Sequence, residues 1–307
     1  MTGWIESALG SVRPDTSIGS VTRPAEGNRK ETAIVTLADG ERLVVQRSAD
    51  PEPFAAATLL LCAIADRTTV PVPAVVDSGR LGGHAYRVTA WIDGGNLHRR
   101  FVSLAPGDRE RIARRFGSAL AELHRAFEFD RFGPLVAEDG RLRATGPTAV
   151  EGWFRARADR AIDALPDAFS DLEARIRDAV REPFPSGPTP LIFAWDLRPG
   201  NAIVDGGSIA AFPDWGEPLA GPPGLAVAKV EHLVADWYRL DREPLRSAFR
   251  GGYAEAGPLP DVRRADRVLA VVDAAVDSDG IVTRPGYPEL TGDDAVAFHR
   301  ERLHELL

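Results

Sequence analysis

The sequence predicts an α+β protein in which a small antiparallel sheet is followed by a larger, mainly helical part. Short apolar or β-branched runs separated by turn residues occupy the region from Ser17 to Ile92, which is typical of antiparallel strands. After Gly94, apolar residues recur at helical spacing over long segments instead. With 307 residues, the chain is long enough for one large or two medium domains.

In the N-terminal region, the pattern predicts a strand hairpin, one helix and two further strands. The Asp39-Gly40 turn between two apolar runs is a typical hairpin signal. The segment Pro53–Asp66 is apolar nearly all round, which indicates a helix that is buried on several sides. The predicted strands are Ala33–Leu37, Arg42–Gln46, Pro71–Asp77 and Ala85–Ile92.

The rest of the chain is dominated by segments of helical period. The clearest is Arg109–Phe127, in which Ile112, Phe116 and Leu120 share one face. His124 lies beside this face, so we expect a histidine that flanks the core. The predicted helices are Arg109–Phe127, Phe154–Leu165, Leu172–Val180, Leu225–Leu240, Pro244–Ala256, Val262–Val276 and Asp293–Leu307, and Asp130–Pro147 is predicted as a loop or small hairpin.

Composition and charge exclude several classes of protein. A net charge of −8 argues against a general binder of nucleic acid or anionic membranes. Cys62 is the single cysteine, so an intramolecular disulfide and a cysteine metal cluster are excluded, and its apolar neighbours predict a buried thiol. The sequence has no apolar run of membrane-spanning length and no basic, apolar leader, so we expect a cytoplasmic protein.

The segment Phe193–Trp215 brings polar side chains together by local geometry. A hairpin turn is predicted at Gly206-Gly207, because apolar runs flank it on both sides. In a regular hairpin centred there, Asn201 lies roughly opposite Phe212. Asp214 then lies just past the open end of the hairpin.

Asp196 lies on the loop that enters the same end, because Pro199 and Gly200 prevent a regular helix or central strand. Two carboxylates and a carboxamide therefore converge, and oxygen ligands of this kind suit Mg²⁺ together with substrate phosphates. The remaining acidic group is free to orient or deprotonate a hydroxyl nucleophile. A plain structural hairpin would not explain three oxygen ligands at these spacings, so the segment outlines a phosphoryl-transfer site.

The pattern D-L-x-P-G-N, followed thirteen residues later by D-W, resembles the aminoglycoside phosphotransferase and choline-kinase-like family. These enzymes are small-molecule relatives of the protein kinases, and their usual motif is H-G-D-x-H-x-x-N followed by a metal-binding Asp. The resemblance implies a two-lobed, protein-kinase-like fold, with a nucleotide-binding lobe over residues 1–93 and a catalytic and acceptor-binding lobe over residues 94–307. It also implies that Asp196 is the catalytic base and that Asn201 and Asp214 are Mg²⁺ ligands.

Three positions depart from the family motif. Ala194, Trp195 and Arg198 stand where the family has His, Gly and a second His. Arg198 is a candidate catalytic residue in one of two ways. It pairs with Asp196 or Asp214 and fixes the loop, or it neutralises charge on the transferred phosphoryl group. We favour the first, because an arginine so close to carboxylates seldom stays unpaired.

The resemblance also implies where a nucleotide binds. The turn Pro24–Lys30 is expected to cover the phosphates, and the strand end with Thr89, Trp91 and Ile92 is expected to pass the adenine. A serious departure lies nearby, because the family's third strand carries a Lys or Arg that pairs with a Glu on the helix. Here strand alternation places Gln46 at the phosphate-facing position.

Arg47 follows Gln46 and faces the other side of the sheet unless a bulge re-aims it. The helical segment Ala55–Ile64 contains no acidic residue, so the partner Glu is missing as well. Either Arg47, Lys30 or Arg29 holds the phosphates, or nucleotide binding is weakened.

The sequence therefore predicts a Mg²⁺-dependent phosphotransferase that moves the γ-phosphate of ATP or GTP to a hydroxyl of a small molecule. The alternatives are a catalytically weak or inactive pseudokinase that binds nucleotide or metabolite, and transfer of a nucleotidyl group. Fold does not give the acceptor, although the loop Asp277–Tyr287 is expected to border its pocket. The family often has an acidic residue early in the helix that is predicted here from Leu225, but the matching segment Leu225–Ala228 has none. Lys229 and Glu231 come next, and we expect them on a solvated or locally paired face.

Overall fold

A five-stranded antiparallel sheet forms the N-terminal third of the protein, in the strand order β1-β2-β3-β5-β4. The structure is a computed structural model that describes residues 3–15, 17–24, 30–184, 187–284 and 290–307. The predicted strands are confirmed, except that the strand expected from Pro71 begins only at Val75, since proline cannot donate to a sheet ladder. The strands are β1 Ile18–Thr22, β2 Glu31–Leu37, β3 Arg42–Ser48, β4 Val75–Leu81 and β5 His84–Ala90.

Two helices accompany this sheet, although the sequence predicted one. Helix α1, Gly3–Gly10, packs Ile5, Ala8 and Leu9 against one face of the sheet. Those residues have helical spacing, but eight residues are too few to distinguish a helical period in the sequence. Helix α2, Pro51–Arg67, is the predicted helix, and it contacts β4 and β5.

The solvent-facing side of α2 carries Ala55 and Cys62, which are both exposed. The prediction of a buried thiol is therefore wrong. The physical reason is that apolar residues all round a helix do not bury every side of it, and small side chains are tolerated where the helix meets water.

The remaining chain forms a mainly helical part with three small sheets, ordered β11-β10-β6, β8-β7-β12-β9 and β13-β14. The helices are α3 His98–Phe101, α4 Pro106–Ala126, α5 Val150–Asp163, α6 Ser170–Ala179, α7 Pro223–Glu231, α8 Arg242–Ala256, α9 Arg264–Ala275 and α10 Asp293–Leu306. The strands are β6 Gly95–Asn96, β7 Gly133–Glu138, β8 Arg141–Ala144, β9 Leu191–Phe193, β10 Ile203–Asp205, β11 Ser208–Ala211, β12 Leu219–Gly221, β13 Thr283–Arg284 and β14 Leu290–Thr291. Across the described ranges, none of the helices has the length and apolar character needed to span a membrane.

Helix α7 differs from its prediction in length and surroundings. It ends at Glu231 and continues as a π-helical turn over His232–Asp236, so the expected helix to Leu240 is too long. Lys229 and Glu231 are buried, and the expectation of a solvated face for them is wrong. Both are paired with residues distant in sequence, because α7 runs through the interior of the helical part: Lys229 Nζ lies 3.0 Å from Asp273 Oδ2, and Glu231 accepts from Arg250 and Arg267.

Helices α4 and α8 pack unusually closely. A Cβ atom built at Gly117 would lie 1.9 Å from the backbone oxygen of Phe249, and one at Gly252 would lie 2.0 Å from that of Arg114. In the same interface, the ring Nδ1 of His124 lies 2.6 Å from the Tyr253 hydroxyl. Burial lowers the pKa of His124 to about 3, so the ring is neutral, as expected of a histidine that flanks the core.

Two adjacent glycines of α8 provide a test of this packing. Gly252→Ala should destabilise the protein by roughly 1–3 kcal/mol, because α4 and α8 would have to separate. The control is Gly251→Ala, where a Cβ atom would meet only the movable Arg114 guanidinium at 3.2 Å. It should be neutral, or stabilising by up to about 1 kcal/mol, because alanine favours a helix over glycine. Urea unfolding of both variants checks this; equal effects would contradict the close contact.

Candidate active site

The loop after β9 carries Asp196, and its neighbours anchor it in the core. Strand β9 pairs with β12, which places Phe193 opposite Leu219 just before the loop begins. Within the loop, Ala194 and Leu197 are buried. The side chain of Asp196 between them remains 27% exposed, so it reaches the surface while its neighbours are held in the core.

The hairpin of β10 and β11 follows, with its turn at Gly206-Gly207 as predicted. Its register is not regular: Val204 pairs with Ile209, but Ile203 pairs with Ala211 because a bulge intervenes. The alignment of Asn201 with Phe212 in a regular hairpin is therefore wrong by one residue. The polar side chains still converge at the open end.

Asp196 is held by its own loop through both carboxylate oxygens. The Asn201 amide donates a 2.6 Å hydrogen bond to Asp196 Oδ2. Arg198 Nε lies 2.6 Å from Asp196 Oδ1, so the structure shows the pairing with Asp196 rather than with Asp214. Burial raises the pKa of Asp196 above its ordinary value; the charge of Arg198 opposes the rise, and that of Asp214 adds to it.

Asp214 has the opposite electrostatic character. Its Oδ1 accepts a 2.9 Å hydrogen bond from Lys30 Nζ and a 3.1 Å bond from the Gly216 backbone N–H. Desolvation works against ionisation, but the Lys30 pair, the Gly216 bond and the charge of Arg87 together hold the pKa of Asp214 below its ordinary value. Because Lys30 immediately precedes β2, this ion pair joins the sheet to the helical part.

The side-chain oxygens at this site are of the kind that binds a magnesium ion. The Asn201 amide nitrogen is used by Asp196, and among the described residues its carbonyl oxygen has no hydrogen-bond donor. Oδ1 of Asp214 makes the contacts above, and within the same described ranges Oδ2 accepts no hydrogen bond. In the described ranges, no three His, Cys, Asp or Glu residues gather into a ready-made metal cluster. Mg²⁺ commonly takes one or two protein oxygens and completes its shell with water and phosphate.

The side chain of Gln46 forms hydrogen bonds with two neighbouring side chains on its face of the sheet. It pairs with Arg87 across β3 and β5, and its Oε1 accepts a 2.6 Å hydrogen bond from Arg87 Nη2. Its amide donates to the Thr32 hydroxyl at 3.3 Å. Gln46 is thus already engaged with an arginine that our sequence reasoning missed. The sequence signal that could have identified Arg87 is its position as the only charged residue in the predicted strand Ala85–Ile92.

The side chains of Arg47 and Gln46 lie on opposite faces of the sheet. Its pairing with β2 and β5 continues without a bulge, so its side chain lies on the α1 face of the sheet. There it forms two hydrogen bonds to Glu31, at 2.9 and 3.0 Å, and its guanidinium lies 4.6 Å from the centroid of the Trp4 ring.

The strand end expected to pass a nucleotide base leads directly to the helical part. Thr89 is buried and lies opposite Val44. Trp91 donates its backbone N–H to the Arg42 carbonyl at 3.2 Å, and Ile92 is partly exposed. Of the turn Pro24–Lys30 expected over the phosphates, residues 25–29, which include Arg29, lie outside the described residues.

The connection after Ile92 passes close to the hairpin. Gly94 has a φ of +132°, and a Cβ atom there would lie 2.5 Å from the Val204 backbone oxygen. Only glycine accommodates that approach. Strand β6 then pairs with β10, so the end of the small sheet is fixed against the hairpin that carries Asn201.

Comparisons with known proteins agree with this architecture. The family model of the phosphotransferase enzyme family, APH, matches residues 20–267. The protein belongs to this family. A comparison with curated proteins finds no match.

Solved structures share the two-lobed, protein-kinase-like fold at low sequence identity. Aminoglycoside phosphotransferase APH(4)-Ia has a TM-score of 0.70 at 18% identity, with 100% of this chain and 98% of that chain covered; a thermostable mutant of it has been solved as a ternary complex with AMP-PNP and hygromycin B. The GDP and kanamycin complex of APH(2")-IIia has a TM-score of 0.64 at 16% identity, with coverage of 100% and 98%. A putative fructosamine-3-kinase from Haemophilus somnus has a TM-score of 0.62 at 15% identity, with coverage of 99% and 96%.

The Lys30–Asp214 ion pair can be tested by a double-mutant cycle of Lys30→Gln and Asp214→Asn. Because the Asp214 side chain is 47% exposed, solvent screens the pair, and we expect a coupling free energy of up to about 1 kcal/mol at low salt. The coupling should shrink as ionic strength rises. Urea unfolding of the four proteins measures it, and a coupling near zero at low salt would show that the two charges do not stabilise the fold.

Proposed function

We propose that this phosphotransferase is a Mg²⁺-dependent kinase that transfers the γ-phosphate of ATP or GTP to a hydroxyl of a small molecule. The observation that carries the proposal is the arrangement of Asp196, whose two carboxylate oxygens are engaged by Arg198 and Asn201 at the open end of the hairpin. Asp214, the second carboxylate, acts on Asp196 electrostatically across the same site.

Each residue has a distinct role in this proposal. Asp196 orients the acceptor hydroxyl and takes its proton, and the rise in its pKa goes in the direction that strengthens a base. Asn201 and Asp214 would hold Mg²⁺, which when bound supplies charge neutralisation for the phosphates. Arg198 positions the Asp196 carboxylate, because its guanidinium lies directly against that group.

The nucleotide site is proposed between the sheet and the helical part. Thr89, Trp91 and Ile92 line the strand end that leads to Gly94, so we assign them to the base and sugar. This assignment divides the protein into a nucleotide-binding lobe over residues 1–93 and a catalytic and acceptor-binding lobe over residues 94–307. AMP-PNP and GDP in the complexes of APH(4)-Ia and APH(2")-IIia support a purine nucleotide, ATP or GTP.

The acceptor is proposed to be a hydroxylated small molecule. The related structures contain hygromycin B and kanamycin, and a third is named as a putative fructosamine-3-kinase. The net charge of −8 is compatible with a cationic compound of this kind. Screening a panel of aminoglycosides and amino sugars for phosphorylated products is the direct test.

A catalytically weak pseudokinase is the second candidate. It is favoured by Gln46, which has no charge, and by the absence of acidic residues in Ala55–Ile64. The engagement of Asp196 and the nearby Asn201 and Asp214 favours an active enzyme. The cation and its helix partner are absent, but Asp196, Asn201 and Asp214 are all present.

The catalytic assignment predicts different outcomes for two isosteric variants. Asp196→Asn should reduce turnover by about a thousandfold or more while nucleotide affinity stays within a few-fold, because a general base and its positioning are lost. Asp214→Asn should instead weaken Mg²⁺-dependent nucleotide binding, because it removes a charged metal ligand. Calorimetry and turnover measurements separate the two. Near-normal turnover of Asp196→Asn would rule out its role as the base.

Arg198 provides a pH-dependent test. Asp196 acts as a base only when ionised, and Arg198 is the main charge that lowers its raised pKa. Arg198→Gln should raise that pKa further, so the acidic limb of the kcat/KM profile should move to higher pH. Arg198→Lys keeps the charge and should move it less. Identical profiles for all three proteins would show that Arg198 does not act on Asp196.

A further inference from the structure

Arg87 is a buried cation with very few partners. Its side chain, on β5, is only 2% exposed. Nη2 donates to Gln46, and the guanidinium lies 5.1 Å from the centroid of the Phe54 ring. Nε and Nη1 are both buried and find no hydrogen-bond partner among the described residues. Buried charged groups are normally paired, and two unsatisfied donors on one guanidinium indicate a place for an acceptor.

The side chain of Arg87 lies on the face of the sheet opposite α1. Arg87 lies opposite Gln46 in the ladder and two residues before Thr89, so these three share one face. Tyr86 and Val88 take the other face, against α1. Burial lowers the pKa of Arg87, and the negative charge of Asp214 opposes this change. The guanidinium is therefore within electrostatic reach of the carboxylate proposed to hold the metal.

We propose that Arg87 is the phosphate ligand of the small lobe and binds the polyphosphate of the nucleotide with Nε and Nη1. The inference rests on the proposed function. It moves the positive charge from the third strand, where Gln46 stands, to the neighbouring strand β5. Gln46 then acts as a positioning residue, because its Oε1 holds Nη2.

The proposal also explains why the segment Ala55–Ile64 of α2 needs no acidic residue. A glutamate beside Arg87 would neutralise the charge that the phosphates need, whereas Gln46 and the ring of Phe54 support the guanidinium without adding a negative charge. The lack of a cation at Gln46 and the lack of a glutamate in Ala55–Ile64 therefore have the same explanation. Arg47 is not available for this role, because it is bound to Glu31 on the opposite face.

The test is to compare Arg87→Met with the wild-type protein for Mg·ATP and Mg·GTP and for the free nucleosides adenosine and guanosine. Loss of a charge-assisted hydrogen bond should weaken Mg·nucleotide binding about tenfold to a hundredfold. Nucleoside binding should stay within about twofold, because no phosphate is involved. Thermal unfolding of the free protein should be unchanged or shifted upwards, because a buried charge with unsatisfied donors is removed. If Arg87 only stabilised the fold, Arg87→Met would unfold at a lower temperature than the wild-type protein.

Two further variants sharpen the test. Arg87→Met combined with Gln46→Lys returns a cation to the third strand and should recover most of the lost affinity. Gln46→Lys alone places a second cation against Arg87, so we expect no gain from it. Arg47→Met removes the rival cation and should leave nucleotide affinity unchanged. Should Arg87→Met fail to fold, Arg87→Gln removes the charge while keeping a polar group, and the same loss is expected.

The outcomes separate this inference from the proposed function. If the wild-type protein binds Mg·ATP or Mg·GTP and Arg87→Met and Arg87→Gln bind equally well, the Arg87 assignment is wrong and the kinase proposal stands. A loss of affinity in Arg47→Met instead would also overturn it. If the wild-type protein binds neither nucleotide, the proposed function fails and the Arg87 assignment fails with it.

Discussion

The hydrogen bond from the Asn201 amide to Asp196 links a proposed metal ligand to the proposed catalytic base. At 2.6 Å it orients the amide so that its nitrogen faces Asp196, which we propose as the base, and its carbonyl oxygen faces away from that carboxylate. Arg198 occupies the other oxygen of the same carboxylate. Both oxygens of the Asp196 carboxylate are therefore held by residues of its own loop. Lys30, Arg87 and Lys229 adjust the charge around this arrangement from other parts of the chain.

Charge is distributed so that the two carboxylates behave differently. Asp196 has a raised pKa because it is desolvated and lies near Asp214, whereas the Lys30 pair and other donors keep the pKa of Asp214 low. Divergent pKa values in one site are what separate acid–base and metal-binding roles require. The difference between the two pKa values depends on both parts of the protein, since Lys30 and Arg87 come from the sheet and Arg198 from the loop after β9.

The helical part supports the loop through buried interactions rather than surface ones. Lys229 on α7 is bound to Asp273 on α9, and its charge also acts on Asp196. The close contact of α4 and α8 at Gly117 and Gly252 fixes these two helices against each other. A buried ion pair adds little net stability, but removing one partner leaves an uncompensated charge. These pairs therefore restrict the arrangements open to the helices around the site.

The sequence by itself determined the fold class and the approach of Asp196 and Asn201 in the segment after β9, because these depend on local pattern. Asp196 and Asn201 are five residues apart, and a turn brings them together whatever the rest of the chain does. The hairpin bulge, the exposure of Cys62 and the burial of Lys229 depended on packing that local pattern does not contain. The partners that set the charge of the site were decided only by the tertiary structure. Gln46 meets Arg87 across 41 residues, and Lys30 meets Asp214 across 184, since strand pairing and lobe contact, not sequence spacing, bring such residues together.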